Sequence, residues 1–530
     1  MRRIGLSVAL MMSAAALGSP AQAATSGDTV EMKVEAGSEG AVIDRQIFGQ
    51  FAEHLGFGIY GGVWVGKDSP IPNVRGIRKD VVAALKDIKV PNVRWPGGCF
   101  GDEYHWRDGV GPVEGRRSTV NANWGNAGEP NTFGTDEFMD FVDQIGAEAY
   151  VSINIGSGTV QEAADWLAYM TAPVESSAGK ERAANGHPEP YKVRYLGLGN
   201  ESWSCGGAMR PEYYTDLMKR YARFVRNYRP EQMENGAEPM QRIAVGPSDG
   251  DTAYTEQVMK TWTEHDWSWN IEGLSLHHYT HGGWPPSLPS TGFGKTDYAR
   301  LVKETLMMDD LIVTHSAIMD KYDPEKKIPL VIDEWGVWLA PAPGTNPGFL
   351  IQQNSLRDGI MAALNLNIFA RHADRVRMTN IAQMVNVLQA MILTEDEKMV
   401  LTPTYHVFKM YVPFQDARFV PVTFDAGTFR EGDIELPRVD GIAARDEEGR
   451  LWLAVTNVDP DRKTTVSVTF DGMTPKSAKG QVLTAPEVSS VNTFEKPDTV
   501  SPKPITGTAR AGGITLELPA KSVAVVQVGG

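Results

Sequence analysis

Cysteine is almost missing: the 530 residues contain two, Cys99 and Cys205. Two cannot staple a disulfide scaffold, so an apolar core must carry the fold. Long apolar runs are missing too. Residues 4–17 form an apolar run diluted by Ala and Ser. It is shorter than the about 20 residues that a bilayer span needs. Positive charge is in deficit, with 51 Lys and Arg against 66 Asp and Glu and a net charge of −15. Such a chain repels phosphate backbones, so neither nucleic acid nor a membrane is an expected partner. No glycine-rich phosphate loop follows the first strand candidate, which weighs against a doubly wound nucleotide-binding sheet. There is no internal repeat and no low-complexity tract.

What is present is ordinary globular material: 42% apolar and 22% charged residues, enough for two or three domains with a large core. The chain starts Met1-Arg2-Arg3, continues into the apolar run and reaches Ala21-Gln22-Ala23. A basic start, an apolar stretch and a small-x-small triplet predict a signal peptide cleaved after Ala23 and an exported protein, periplasmic or secreted. Tryptophan, tyrosine and phenylalanine are plentiful, and flat apolar rings can stack on sugar faces.

From about residue 47, strand-like and helix-period runs alternate. Strand candidates cover 47–54, 92–98, 149–156, 192–201, 242–248, 274–280, 329–338 and 377–386. Helical spacing fills the gaps; Val81, Val82, Leu85 and Ile88 share one face, for example. Thr135 is the expected N-cap of the helix over 133–145. Several strands are apolar nearly throughout, as strands covered on both faces are. Eight such units predict an α/β fold, a (β/α)8 TIM barrel over 47–396. After about residue 400 the pattern turns to β with no helix expected; Val466, Val468 and Phe470 alternate with Ser467 and Thr469. This predicts a C-terminal β-sandwich over 397–530, with loops around short strands in 473–512. Residues 24–46 carry an alternating strand that joins the sandwich.

Barrel chemistry sits at the C-terminal ends of the strands. There the sequence places Glu53 and His54 (strand one), Arg94 and a Trp-Pro-Gly-Gly turn (two), Asn200 and Glu201 (four), His277, His278 and Tyr279 (six), Asp333 and Glu334 (seven), and Asn380, Gln383 and Asn386 (eight). Two glutamates on opposite sides of one mouth are the minimal apparatus for cleaving a glycosidic bond. One must stay protonated, the other ionised. A glutamate at a strand end is more often a salt-bridge partner or a cap, and Asp333 is as readily structural as functional. His277 and His278 have no third ligand at helical or Cys-x-x-Cys spacing, so substrate binding is favoured over a metal. No cofactor is expected. One or two of Trp64, Trp124, Trp203 and Trp338 are expected to line a sugar subsite.

The stretches RWPGGCFGDEYHWRDGVGP (94–112), LGLGNESW with CGG (196–207), LHHY (276–279), VIDEWGVW (331–338) and TNIAQMVNV (379–387) resemble the α-L-arabinofuranosidases of glycoside hydrolase family 51. FGQFAEHLG (48–56) and TPTYHVFKMY (402–411) fit as well. The resemblance runs from about residue 28 to the end. It implies a retaining hydrolase that releases non-reducing terminal α-L-arabinofuranosyl units from arabinose-containing glycans. Glu201 matches the acid/base and Glu334 the nucleophile. Glu53, Arg94, Asn200, His277, Tyr279 and Gln383 match positions that bind the sugar or orient the carboxylates. Cys99 stands where many members carry Asn. A homo-oligomer is a further expectation. Cys99 follows strand two and Cys205 strand four, on one face of the barrel, so a disulfide between the two loops is expected, with two buried thiols as the alternative. The rival functions are a barrel glycosidase of other specificity, an endo-β-glucanase or β-xylosidase, and a non-catalytic sugar-binding protein.

Overall fold

A computed structural model describes residues 29–530. Eight parallel strands close into a barrel in chain order: Gly49–Phe51, Asn92–Trp95, Glu148–Ile153, Tyr195–Leu198, Gln241–Ala244, Gly273–Thr280, Leu330–Val337 and Val376–Ala382, here strands one to eight. Asn380, Ile381 and Ala382 pair with Gly49, Gln50 and Phe51, which closes the ring. Helices Lys79–Asp87, Thr135–Ile145, Val160–Thr171, Pro211–Phe224, Thr252–Trp262, Lys295–Tyr322 and Leu356–Arg371 follow the first seven strands or the eighth's approach. Their apolar stripes cover the outer face of a sheet that has no exposed edge.

Strand seven shows why such a strand reads as a continuous apolar run: all eight of its residues are buried. Trp335 points outward and packs against Phe369 of the last barrel helix. Within the barrel, Tyr150, Tyr195, Ile243, Val331 and Met378 form a separate apolar cluster. The side chains above it, toward the C-terminal ends, are polar.

Ten further strands pair into one ribbon folded over itself as the sandwich. The N-terminal strand Thr29–Val34 belongs to it, parallel to Thr464–Phe470 and antiparallel to Val422–Phe424. Val30, Met32 and Val34 are buried with Leu451, Leu453 and Val455 in the sandwich core, while Glu31 and Lys33 are exposed. The period of two in the sequence is therefore the two faces of this strand.

The structure departs from the sequence reading at four places. A helix, Pro403–Tyr411, does follow residue 400, started by Pro403 and by the Thr402 hydroxyl, which accepts from the Tyr405 N–H. Its aromatic and β-branched content reads as strand, but packing against the last barrel helix overrides that preference. Ser477–Leu483 and Lys503–Arg510, of seven and eight residues, are longer than the short strands expected among loops over 473–512. Ser177–Ala184 is a helix too poor in apolar residues to show a period. Finally, Gly134, not Thr135, is the N-cap of the second barrel helix; the Gly134 N–H donates to Glu137. Thr135 Oγ1 instead accepts from the Trp166 indole. Among the described residues no helix is long and apolar enough to cross a membrane.

Candidate active site

Strand four ends at Leu198, and the chain turns at Gly199 and again at Glu201, whose φ is 34°. That left-handed turn swings the Glu201 side chain toward the barrel axis. Strand seven delivers Glu334 from the other side. A carboxylate oxygen of each and a ring nitrogen of His277 lie within 4.8 Å of one another.

The two carboxyl groups have unlike surroundings. Glu334 Oε1 accepts from Arg94 Nη1 at 2.8 Å and Oε2 from the Tyr279 hydroxyl at 2.8 Å. Burial opposes the Arg94 charge, but Asp333 and Glu334 outweigh it and keep the guanidinium protonated. Burial holds the Tyr279 phenol well above its ordinary range, with Glu334 adding to the effect, so Tyr279 is a donor. Glu201 has no arginine on it. Its Oε1 lies 3.0 Å from His277 Nδ1. Burial raises its carboxyl, the His277 hydrogen bond pulls it back, and the Glu334 charge adds to the rise. Two acids in one cavity thus have different partners: Glu334 a guanidinium and a phenol, Glu201 an imidazole.

His277 spans the pair. Its Nε2 lies 3.0 Å from Asp333 Oδ1. Burial disfavours the imidazolium, but Glu334 and Asp333 push its pKa up to about 10. Asp333 also accepts from the Tyr150 hydroxyl at 2.7 Å. Burial raises its carboxyl, yet Arg94 and His277 bring it below the ordinary range. Arg94 Nη2 reaches Asn200 Oδ1 at 2.6 Å, which links the Glu334 clamp to the residue before Glu201.

Glu53 and Gln383 lie on the same cavity. Gln383 Nε2 donates to Glu53 Oε2 at 3.2 Å, and the Glu53 N–H donates to Gln383 Oε1 at 3.1 Å. Glu53 Oε1 accepts from the N–H groups of Gly98 and Phe100, both at 3.0 Å. Burial, with the Glu334 charge, pushes the Glu53 carboxyl up to about 7. The Gly97-Gly98 pair makes this approach possible. A Cβ on Gly97 would stand 2.7 Å from Glu53 Cγ, and one on Gly98 2.8 Å from Glu334 Oε1.

Cys99 and Cys205 form a disulfide with 5.4 Å between Cα atoms, joining the loops after strands two and four. Cys99 lines the cavity. A residue that sequence reasoning missed acts beside it. Asp102 is buried, and its carboxylate accepts from the N–H groups of Ile155 at 2.7 Å, Gly156 at 2.9 Å and Asn200 at 2.7 Å. It ties the loops after strands two, three and four at the base of Glu201. Its place in the stretch 94–112 was the only available signal.

Other polar candidates fall elsewhere. Strand alternation turns His278 away from His277, toward Asp249 at 2.6 Å. His54 is a buried partner of Glu129 at 3.0 Å and accepts from the Trp95 indole. Asn380 lies deeper in the barrel against Gln50 and Asn92, and Asn386 bonds to the Phe57 carbonyl and Thr394. Of the four tryptophans, Trp124 and Trp338 line the cavity. Trp64 packs on Phe133 in the main core, and the Trp203 indole donates to the Gly246 carbonyl.

Comparison with known proteins agrees with this geometry. Residues 84–281 match the family model described as α-L-arabinofuranosidase 1 domain, and residues 333–522 match that of the α-L-arabinofuranosidase C-terminal domain. The intracellular exo-α-L-arabinofuranosidase of Bacteroides ovatus is 46% identical over 94% of this chain and 95% of its own. The crystal structure of the family 51 arabinofuranosidase from Xanthomonas axonopodis pv. citri is 50% identical, with a TM-score of 0.91 over 94% of this chain and 100% of its own. The α-L-arabinofuranosidase from Thermotoga maritima, in an arabinose complex, is 31% identical with a TM-score of 0.81 over 94% and 99%. One expectation is corrected. The Bacteroides relative is named intracellular, which overturns export, periplasmic or secreted, and with it the signal peptide cleaved after Ala23. That reading rested on residues 1–23 alone, which lie outside the described residues. The relatives match along the barrel and the sandwich together, and the chain belongs to the glycoside hydrolase family 51 α-L-arabinofuranosidases.

Proposed function

We propose that Glu334 is the nucleophile and Glu201 the acid/base of the hydrolysis that releases arabinofuranosyl residues from arabinose-containing glycans. Glu334 attacks the anomeric carbon of a terminal α-L-arabinofuranosyl unit. The bond to the leaving oxygen breaks as Glu201 gives that oxygen its proton. The ester on Glu334 is then opened by water, which passes its proton to Glu201, and arabinose leaves with retained configuration. Arg94 and Tyr279 hydrogen-bond the two Glu334 oxygens and hold the carboxylate in place for attack. Asn200 and His277 orient the carboxylates, and Glu53, Cys99 and Gln383 bind the sugar, Cys99 through its backbone.

One observation carries this reading: the two carboxylates approach within 4.8 Å. Retaining enzymes hold their pair about 5–5.5 Å apart, whereas inverting enzymes need roughly 6.5–9.5 Å to seat a water between. The arabinose complex of the Thermotoga maritima relative supports the sugar assignment. The proposed assembly is a homo-oligomer, which light scattering tests.

The test compares aryl α-L-arabinofuranoside with aryl β-D-xyloside and β-glucan, using wild type and Glu334→Ala. Wild type should act on the arabinofuranoside. The variant should be inactive, and azide should restore turnover as a glycosyl azide. Azide rescue of Glu201→Ala alone, or preferred cleavage of the xyloside, would overturn the assignment.

A further inference from the structure

The Cys99–Cys205 bond stands against the proposed acid/base. Cys205 Sγ lies 3.6 Å from Glu201 Oε2, and the Asn200 amide donates to the same sulfur over 3.8 Å. Cys99 Sγ, Cys205 Sγ and a Glu201 carboxylate oxygen all lie within 4.8 Å of one another. The three residues are half-buried, and Cys99 and Glu201 line the cavity, so small solutes reach them.

The three side chains keep their places without the sulfur–sulfur bond. Cys205 sits on a turn closed by the Ser204 and Gly206 N–H groups, which both donate to the Glu201 carbonyl. Asp102 holds the Asn200 N–H at the start of that turn. Cys99 is flanked by Gly98 and Phe100, whose N–H groups both donate to Glu53 Oε1. None of these ties uses a sulfur. Reduction therefore leaves two thiols and a carboxylate facing one point. Tetrahedral zinc, at about 2.3 Å from sulfur and about 2.0 Å from oxygen, sets a sulfur and an oxygen about 3.5 Å apart. The Cys205–Glu201 spacing of 3.6 Å already meets that demand. The two sulfurs need only swing apart from Cα atoms that are 5.4 Å from each other. Thiolates select zinc over magnesium or calcium. The rival set of Glu201, His277 and Glu334 has no sulfur and carries the Arg94 cation on Glu334.

We infer that reduced Cys99 and Cys205, with Glu201, form a zinc site, and that zinc bound there silences the enzyme by occupying the carboxyl group that must carry the proton. A phosphine opens the disulfide by giving its two electrons to the sulfurs. Water supplies the oxygen of the phosphine oxide and the two thiol protons. Zinc then displaces those protons to solvent. The site stands on these residues alone, whereas the silencing rests on reading Glu201 as the acid/base.

The experiment takes the full chain, oxidised or reduced with a phosphine and kept from air, and titrates it with cobalt(II) and then zinc. Cobalt reports thiolate ligation as a near-ultraviolet charge-transfer band, independently of activity, and circular dichroism follows the fold. The reduced chain should develop the band at about one cobalt per chain, and zinc should displace it. The oxidised chain and reduced Cys205→Ser should bind at least about 100-fold more weakly, and reduced Glu201→Gln roughly tenfold more weakly. Zinc on the reduced chain should cut turnover of an aryl α-L-arabinofuranoside at least about tenfold, and a chelator should restore it. A reduced chain without the band, or equal metal uptake by the oxidised chain, overturns the site. Zinc uptake with undiminished turnover overturns the silencing. An oxidised chain inactive on the arabinofuranoside overturns the reading of Glu201 and the silencing with it, while the cobalt band still decides the site.

Discussion

Arg94 Nη1 donates to Glu334 Oε1 over 2.8 Å, with both side chains less than one-tenth exposed. The guanidinium lies over the Phe51 ring, 4.6 Å from its centroid, so its plane is fixed from one side. The same group reaches Asn200 Oδ1. One rigid fork thus sets the distance between the residue ahead of Glu201 and the carboxylate of Glu334.

Removing that fork should therefore cost more than one hydrogen bond. Arg94→Met leaves Glu334 and Asp333 buried without the guanidinium, with only His277 as a cation beside them, a loss on the order of 3–5 kcal/mol. Activity on an aryl α-L-arabinofuranoside should fall at least about 100-fold. Arg94→Lys should recover little, since a point charge cannot serve both partners. Steady-state kinetics with circular dichroism checks this; near-wild-type turnover by Arg94→Lys contradicts it.

The unlike surroundings of the glutamates predict a bell-shaped pH profile. The proposed acid, Glu201, would work protonated, and burial with the Glu334 charge raises its carboxyl. Activity should hold while pH rises toward that raised value and decline beyond it. The two groups interact, so the limbs report the pair. Glu201→Gln, assayed on an activated aryl glycoside that needs no acid, should lose the alkaline limb. A variant profile with an unchanged alkaline limb contradicts the assignment.

The barrel and the polar residues gathered at its rim were legible because each rests on a local signal. An apolar run that ends in Asn200-Glu201 or Asp333-Glu334 is visible in a dozen residues, and so is the alternation that places Thr29–Val34 in the sandwich. What depended on distant packing was hidden. The first barrel strand, Gly49–Phe51, fills only three of the eight residues read as strand over 47–54. The helix Pro403–Tyr411 has strand-like composition and is held by its neighbours. The choice between His277 and His278 needed the strand's facing, which the sequence pattern left open. Asp102 was invisible because its partners, Ile155, Gly156 and Asn200, are backbone groups 53 to 98 residues away.

Asp102 should prove a positioning residue whose loss disables Glu201. Asp102→Ala strips three buried N–H groups of their acceptor, at roughly 1–3 kcal/mol each. The melting temperature should fall, and kcat should fall more than KM changes, because the turn that carries Asn200 and Glu201 loses its tie. Asp102→Asn should keep part of the stability and less of the activity, since its amide puts a donor against donors. The Cys99–Cys205 bond holds the same loops, so Asp102→Ala combined with Cys205→Ser should lose more stability than the two single effects added. Strict additivity would mean that the two ties act separately.

Stability should also depend on pH through Glu53. Its carboxyl is pushed from 4.5 up to about 7 by burial and the Glu334 charge. The folded state therefore keeps a proton that the unfolded chain releases. Its contribution is complete below the unfolded value and disappears as pH rises through about 7. Across that window each such group lowers stability by up to about 1.4 kcal/mol per pH unit. Asp102, also raised to about 7, adds to the slope. Asp333, held low by Arg94 and His277, acts in the opposite sense at lower pH. The difference between wild type and Glu53→Gln isolates one group from this background. Glutamine can still accept from the Gly98 and Phe100 N–H groups, while its own amide faces Gln383, so a constant offset is expected as well. The melting temperature of wild type should therefore drop faster than that of Glu53→Gln between pH 5 and pH 7, and the two curves should run parallel above about pH 8. Parallel curves throughout would mean that Glu53 is ionised across the range, held so by its two backbone donors and by Gln383.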